Sequence, residues 1–366
     1  MACAVVWPVT ADLRNGCFEK GPTHMSITRR SLLAASPLLF VPGRFVRGNE
    51  AASDAEFPEF TERSEKAIRK GTNWLLKTFN RDGGCGEDIG TASDISCSAA
   101  VALAFLSQGN SPISGPQNQL IRKTTNYLLE MVANERFSIN LNSQVRADLC
   151  AYADHHFAAM GLSQIMGQGR DDDESIEIAL KKLIKTIGRG QSAQGHWGDG
   201  RYPQLAAVTG WCSLRGAFFA GMNVEANAET TAKYLIAAMR GGRGQGNFFA
   251  MASGIRVLYA MQMENQDVAR WAFDEALKSS TKYFPRFNQL GGEQYLAFHY
   301  INETMLKRGG QMWQQWFPTV RDKLIDVQNA DGSWIGHSCI VSRTFCTACA
   351  LLVLSSPNRY LPISQA

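Results

Sequence analysis

The sequence predicts an all-α protein built as two concentric layers of helices, six inner and six outer. Three observations predict it. First, one phrase is written near both ends of the chain. It reads Asn80-Arg81-Asp82-Gly83-Gly84-Cys85 and then Asn329-Ala330-Asp331-Gly332-Ser333-Trp334, each followed by an apolar run of Ser, Ala and Leu. The copies align without a gap, so Cys97 falls on Cys346 and Leu75 on Leu324. A third copy, Gln194-Gly195-His196-Trp197, places Cys212 on Cys349. Internal repetition of this kind governs the fold before local propensity does. Second, amphipathic Lys-rich stretches alternate with stretches that are apolar all round. Third, period-2 alternation is scarce, so strand signals are poor.

From Pro58 the helical stretches pair off in order, with boundaries good to a few residues. The pairs are 60–79 with 94–108, 117–134 with 146–167, 173–188 with 203–221, 226–240 with 247–262, 267–284 with 291–308, and 310–328 with 340–355. In the third pair Ile178, Leu180, Leu183, Ile184 and Ile187 recur at helical spacing with Lys181, Lys182 and Lys185 between them. Such a helix has one dry face and one wet face. The second member of each pair is of the kind seen at Ala99–Leu106 and Thr347–Leu354. A helix apolar on every side is buried on every side. The Asp-Gly steps between them read as helix stops and turns, with Gly supplying positive φ.

The chain has 366 residues, 45% hydrophobic and 19% charged, enough for one large domain with a sizeable core. Its net charge of +4 is dispersed, and the absence of a basic stripe argues against nucleic-acid binding. Residues 1–24 have no pattern and suit an upstream extension. Residues 25–52 read as an export signal: Met25-Ser26-Ile27-Thr28-Arg29-Arg30-Ser31-Leu32-Leu33 gives a positive start, and 34–42 continues apolar. The paired arginines make it twin-arginine-like, with Leu32 where Phe is usual, so an ordinary secretion signal stands beside that reading. The stretch is too short to span a bilayer comfortably, leaving membrane contact only through an uncleaved signal. A linker follows at 53–57, then the helical domain at 58–362. The expected location is outside the cytoplasm, periplasmic or secreted, where thiols meet oxidants. Nine cysteines are present, two of them (Cys3 and Cys17) ahead of the signal. An odd number remains, so at least one is expected to be free or metal-bound.

The phrase Gln328-Asn329-Ala330-Asp331-Gly332-Ser333-Trp334 between two helices resembles the repeat of the prenyltransferase and squalene-cyclase (terpenoid cyclase) superfamily. The resemblance covers most of 60–360. It is clearest at Gln328–Trp334, fair at Gln194–Trp197 and degraded at Asn80–Cys85. It implies an (α/α)6 toroid whose motifs tie each outer helix to the next inner one. Gly336-His337-Ser338-Cys339 with Arg343-Thr344-Phe345-Cys346-Thr347 also resembles exported bacterial proteins carrying this repeat, which implies export. Toroids of this type host cyclases, transferases and binding proteins, so the fold alone does not select an activity.

Each candidate site has a structural alternative. Asp171-Asp172-Asp173-Glu174 resembles a cyclase acid motif but opens an outer helix, where acidic residues cap and complement the dipole. Cys85-Gly86-Glu87-Asp88 resembles a thioester motif but has Asp88 where a Gln is required, and Cys85 occupies the slot of Trp334. Asp148-Leu149-Cys150, followed by Tyr152, resembles the zinc site of protein prenyltransferases. With His337 it implies a catalytic zinc on Asp148, Cys150 and His337. The alternative is that Asp148 caps a helix and Cys150 is core. The basic cluster that would hold an isoprenoid diphosphate is not evident. Asp154 and His155 are the acid/base candidates, and Tyr152, His156, Trp211 and His299 the ligand-binding ones, because polar groups gathered on a dry helix line cavities. Cys97 and Cys346 are candidates for a disulfide or shared metal, or else are small fillers. These readings place a pocket near the starts of inner helices two, three and six, for an apolar or isoprenoid-like small molecule. The second reading is a non-catalytic toroid that binds an extracytoplasmic polysaccharide or protein, its cue the aromatic, Gln-rich stretch Gln311–Phe317 with Trp313 and Trp316, read as exposed, although its helical spacing fits buried anchors equally well.

Overall fold

The computed structural model describes residues 58–138, 143–169, 173–198, 200–241, 247–263 and 267–365. The export signal and Asp171-Asp172 lie outside the described residues. Twelve long helices follow one another: α1 (Glu62–Leu75), α2 (Ile95–Ser107), α3 (Asn118–Ala133), α4 (Ala153–Ile165), α5 (Asp173–Gly190), α6 (Pro203–Phe219), α7 (Glu225–Gly241), α8 (Phe248–Ala260), α9 (Asp267–Thr281), α10 (Gly292–Arg308), α11 (Gly310–Asp326) and α12 (Arg343–Ser355).

The even-numbered helices are the dry ones. Every residue of α2 is buried, and so is every residue of α12 after Arg343. The odd-numbered helices bury one stripe each, as α5 does with Ile176, Ala179, Leu180, Leu183 and Ile187. That stripe is the i, i+3, i+4, i+7 pattern of a helix lying on a core. The dry helices pack in sequence, α2 on α4, α4 on α6, α6 on α8, α8 on α10 and α10 on α12, and α12 packs back on α2. The dry helices therefore contact one another in a closed cycle. Among the described residues the fold is all-α apart from a two-residue antiparallel ribbon pairing Cys85 with Asp94 and Gly86 with Ser93 and an isolated bridge between Phe79 and Cys85.

The repeated phrase is the joint between an outer and an inner helix. In each copy the first residue of the turn accepts from the glycine N–H and donates to a carbonyl beyond it. Asn80 does so with Gly83 (3.1 Å) and Gly84 (2.8 Å), Ser192 with Gly195 (2.9 Å) and His196 (2.8 Å), and Asn329 with Gly332 and Ser333 (both 2.9 Å). The glycines sit at φ of +90°, +97° and +98°, which side chains other than Gly reach only at a cost. They are also jammed against the next outer helix. A Cβ on Gly83 would meet the Lys123 carbonyl at 2.6 Å, one on Gly195 the Thr230 carbonyl, and one on Gly332 the Lys70 carbonyl at 2.5 Å. Lys70 belongs to α1, so the last joint closes the ring onto the first helix. The tryptophan of the phrase turns back to its own outer helix: Trp197 Nε1 donates to the Ile187 carbonyl at 2.7 Å and Trp334 Nε1 to the Leu324 carbonyl at 2.8 Å.

Several expectations need revision. The glutamine of the third copy is Gln191, whose Nε2 bonds Thr231 Oγ1 at 2.7 Å as Gln328 Nε2 bonds the Ala67 carbonyl at 2.9 Å; Gln194 is not its equivalent. The helix expected over 146–167 is broken into a short turn at Gln144–Asp148 and α4. The stretch expected to be exposed is a packed face: Trp313 and Trp316 are buried, with Nε1 donating to Glu59 Oε1 (2.6 Å) and Asn302 Oδ1 (3.2 Å). Cys97 and Cys346 are both free, the first 3.5 Å from Ser342 Oγ and the second donating to the Ile340 carbonyl at 3.6 Å. No disulfide joins them. The packed chain also runs past 362, because Leu361 and Ile363 are buried.

Candidate functional site

Around the starts of the dry helices several acidic residues satisfy backbone N–H groups. Asp94 caps α2 by accepting from Cys97 N at 2.7 Å. Glu87 accepts from Gln144 N (2.7 Å), and Glu293 from Ile340 N (2.9 Å). Asp154 lies in the first turn of α4, buried, with Oδ1 accepting from Ser96 Oγ at 2.7 Å on α2 and Oδ2 without a partner. Burial, reinforced by nearby Asp94, pushes its carboxyl up to about 7. His155 faces elsewhere, stacked on Phe137 with ring centroids 4.1 Å apart. Adjacent helical residues point about 100° apart, so the two acid/base candidates do not share one target. Burial lowers His155 to about 4 and His156 to about 3. His156 is enclosed, edge-on to Trp197 at 4.8 Å, and neither of its ring nitrogens has a partner. Tyr152 tilts over His155 at 5.5 Å.

Asp148 and Cys150 flank the break before α4. Asp148 stands 3.8 Å from Arg201 Nη1. Burial raises its carboxyl, against the pull of Arg201. Cys150 is buried, and burial pushes its thiol up to about 12, away from the thiolate a metal needs. His337 is exposed. Among the described residues no three His, Cys, Asp or Glu side chains are grouped so as to hold a metal ion.

The cavity lies farther along the dry helices, in their middle and last turns rather than at their starts. Leu103, Phe157, Met160, Leu296 and Leu352 form its apolar wall, with Cys212, His299, Tyr300 and Glu303 on the remaining side. Leu361 and Ile363, from the segment after α12, complete its wall. The cavity volume is about 20 Å³, room for about one water.

An ionic cluster stands at the edge of this cavity. Arg256 on α8 donates from Nε to Glu303 Oε2 on α10 at 2.7 Å, with side chains only 2% and 4% exposed. Burial opposes the charge on each, but their attraction outweighs it, holding Glu303 below and Arg256 above their ordinary values. His299, one turn before Glu303, has Nε2 3.5 Å from Glu303 Oε1, and burial lowers its pKa. The same pair grips the entering segment. Arg256 Nη2 donates to the Ile363 carbonyl at 2.7 Å, Ser364 Oγ bonds Glu303 Oε1, and Gln164 Oε1 accepts from Ile363 N at 3.1 Å. On α6, Arg215 lies between Trp211 and Phe219, 5.3 and 4.9 Å from their ring centroids.

Of the sequence candidates, His299 lines the cavity and Trp211 packs against Arg215, while Tyr152, Asp154, His155 and His156 lie near the start of α4. Arg215, Arg256 and Glu303 escaped the sequence reading. For two of them a signal was present: Arg215 and Arg256 are each the one charged residue in an otherwise apolar helix, where charges are rare unless partnered or functional, whereas Glu303 shares α10 with Glu293, Lys307 and Arg308.

Fold and site together define an all-helical ring of helix pairs with a narrow apolar interior and a buried ionic cluster beside it. No protein-family model and no curated protein matches the chain. Among solved structures it is similar to a "Crystal structure of a protein from Actinoplanes", with 15% identity and a TM-score of 0.48 over 81% of this chain and 99% of that one. A likeness at that level assigns no activity, and the functional reading rests on the site.

Proposed function

We propose that the chain is an exported toroid of the prenyltransferase and squalene-cyclase repeat type whose ring interior binds an apolar small molecule, isoprenoid-like or otherwise aliphatic. The observation that carries the reading is an apolar cavity among the dry helices whose wall is completed by Leu361 and Ile363, two buried aliphatic side chains from a separate segment. Drug-sized ligands occupy pockets of about 300–1,000 Å³, so the ligand takes the place of these side chains rather than joining them. The anchors of the segment are polar contacts to Glu303, Arg256 and Gln164, which do not depend on its aliphatic side chains. No reaction is assigned. The experiment is calorimetric titration of farnesol into the native chain and into a Leu361→Ser/Ile363→Ser variant. Binding at least tenfold tighter in the variant is expected. A folded variant that takes up no farnesol rejects the pocket.

A further inference from the structure

Arg215 is the anomaly of the ring interior. Its residue is 2% exposed. Its Nε is buried with no hydrogen-bond partner, and it has no ion pair among the described residues. Its neighbours are two aromatic rings, Trp211 one turn before and Phe219 one turn after. The rings hold the guanidinium in place but supply no counter-charge. Charged side chains almost never stay buried unpaired, because the lost hydration is not recovered.

The titratable groups that surround it do not resolve the imbalance. Glu303 is committed to Arg256, and a second arginine nearby only adds positive charge. Burial, aggravated by Arg256, lowers Arg215 to about 9, so it is still charged at neutral pH. His299 is lowered by burial, Cys212 is pushed up to about 12, and Tyr300 is raised further, its OH 3.0 Å from Thr209 Oγ1. The cluster therefore holds two arginines against one carboxylate. Cys212, which lines the cavity, precedes Arg215 by three residues on α6 and shares its face of the helix. The unpaired cation thus lies within one helical turn of a residue of the cavity wall.

We propose that Arg215 binds the oxyanion head group, carboxylate or phosphate monoester, of an aliphatic ligand whose chain occupies the cavity that Leu361 and Ile363 line, widened as their side chains give way. This rests on the reading of the ring interior as a pocket and names the class of ligand it takes. A planar guanidinium clamped between rings presents its donors in a fixed fork, which suits an oxyanion in two-point contact. Ligand binding supplies the missing counter-charge, and the unliganded chain carries its cost.

The experiment titrates octanol, octanoate, octyl phosphate and inorganic phosphate into the full chain with Leu361→Ser/Ile363→Ser, with and without Arg215→Gln. Octanol reports the pocket alone. We expect octanoate or octyl phosphate to bind at least tenfold more tightly than octanol, and Arg215→Gln to erase that preference while leaving octanol binding unchanged. The better of the two acids identifies the head group, and inorganic phosphate is expected to bind far more weakly than octyl phosphate. Octanol binding without a preference for either acid overturns the anion site and leaves the pocket standing. No binding of octanol or of either acid overturns both. Arg215→Met in the native background gives a readout that needs no ligand: its melting temperature is expected to rise, as is common where function costs stability. A fall in melting temperature, together with an acid preference that survives Arg215→Gln, makes Arg215 a packing residue and overturns the proposal.

Discussion

Arg256 donates from Nη2 to the carbonyl of Ile363 at 2.7 Å while its Nε holds Glu303. One buried guanidinium therefore joins α8, α10 and the segment after α12. Seating the segment and ordering the ionic cluster are linked events, because each satisfies donors that the other would leave bare.

Opening the ring costs stability in proportion to the aliphatic surface released. Leu361→Ser and Ile363→Ser are each expected to lower unfolding free energy by about 2 kcal/mol, read by urea denaturation. Helical circular dichroism should be unchanged, since both side chains lie outside the twelve long helices.

Gly332→Ala is expected to cost about 2 kcal/mol or more. The position has φ of +98°, and a Cβ would meet the Lys70 carbonyl at 2.5 Å. Gly90→Ala is the control. It shares positive φ at +80° but has nothing within 4 Å, so the backbone cost alone applies, roughly 1 kcal/mol. Thermal melts of the two variants separate crowding from conformation, and equal losses would remove the closing contact with α1 from the account.

Asp154 gives stability a pH dependence of definite sign. Its pKa is raised in the folded chain, to about 7, above the unfolded carboxylate range near 4. The folded state then holds more protons than the unfolded one between those limits. Its contribution is full below about pH 4 and is lost as pH rises toward 7. Asp154→Asn should flatten the melting-temperature profile across that window. His155 and His156, lowered to about 4 and 3, act oppositely: their contribution is present above the unfolded value near 6.5 and is lost as pH falls.

The zinc reading is checked by metal analysis of purified chain together with thiol titration. If Asp148, Cys150 and His337 hold the metal, stoichiometric zinc is expected and chelator should lower the melting temperature; zinc-free chain with unchanged melting rejects that site. In denaturant all seven cysteines from Cys85 to Cys349 should react, since each is free in the structure.

Export is checked with a reporter fused behind residues 25–52. Replacing both Arg29 and Arg30 with Lys is expected to abolish translocation through a twin-arginine route. An ordinary secretion signal would tolerate that change, since it keeps the charge.

Much of the architecture was legible because it is periodic. The repeated phrase located three of the joints, and wet-dry alternation gave the order of the twelve helices. The positive φ inferred at the Asp-Gly steps is present at Gly83 and Gly332. The errors came where one residue type serves two environments. Trp313 and Trp316 read as an exposed stripe, yet helical spacing of aromatics fits a buried stripe equally well, and contacts with Glu59 and Asn302 made it one. Asp148, Asp154 and the neighbouring histidines gathered in sequence, but consecutive residues on a helix radiate to different partners.

By itself, then, the sequence determined the helices, their wet and dry faces and the joints between them, since these depend on periodicity and on glycine at fixed turns. Only the tertiary structure decided where the interior site lies. Arg215, Arg256, Glu303 and Ile363 come from four separate segments of the chain, and no local spacing relates them. Ring closure brings them together, and burial then turns ordinary surface-type charges into a cluster whose unpaired member demands an anion.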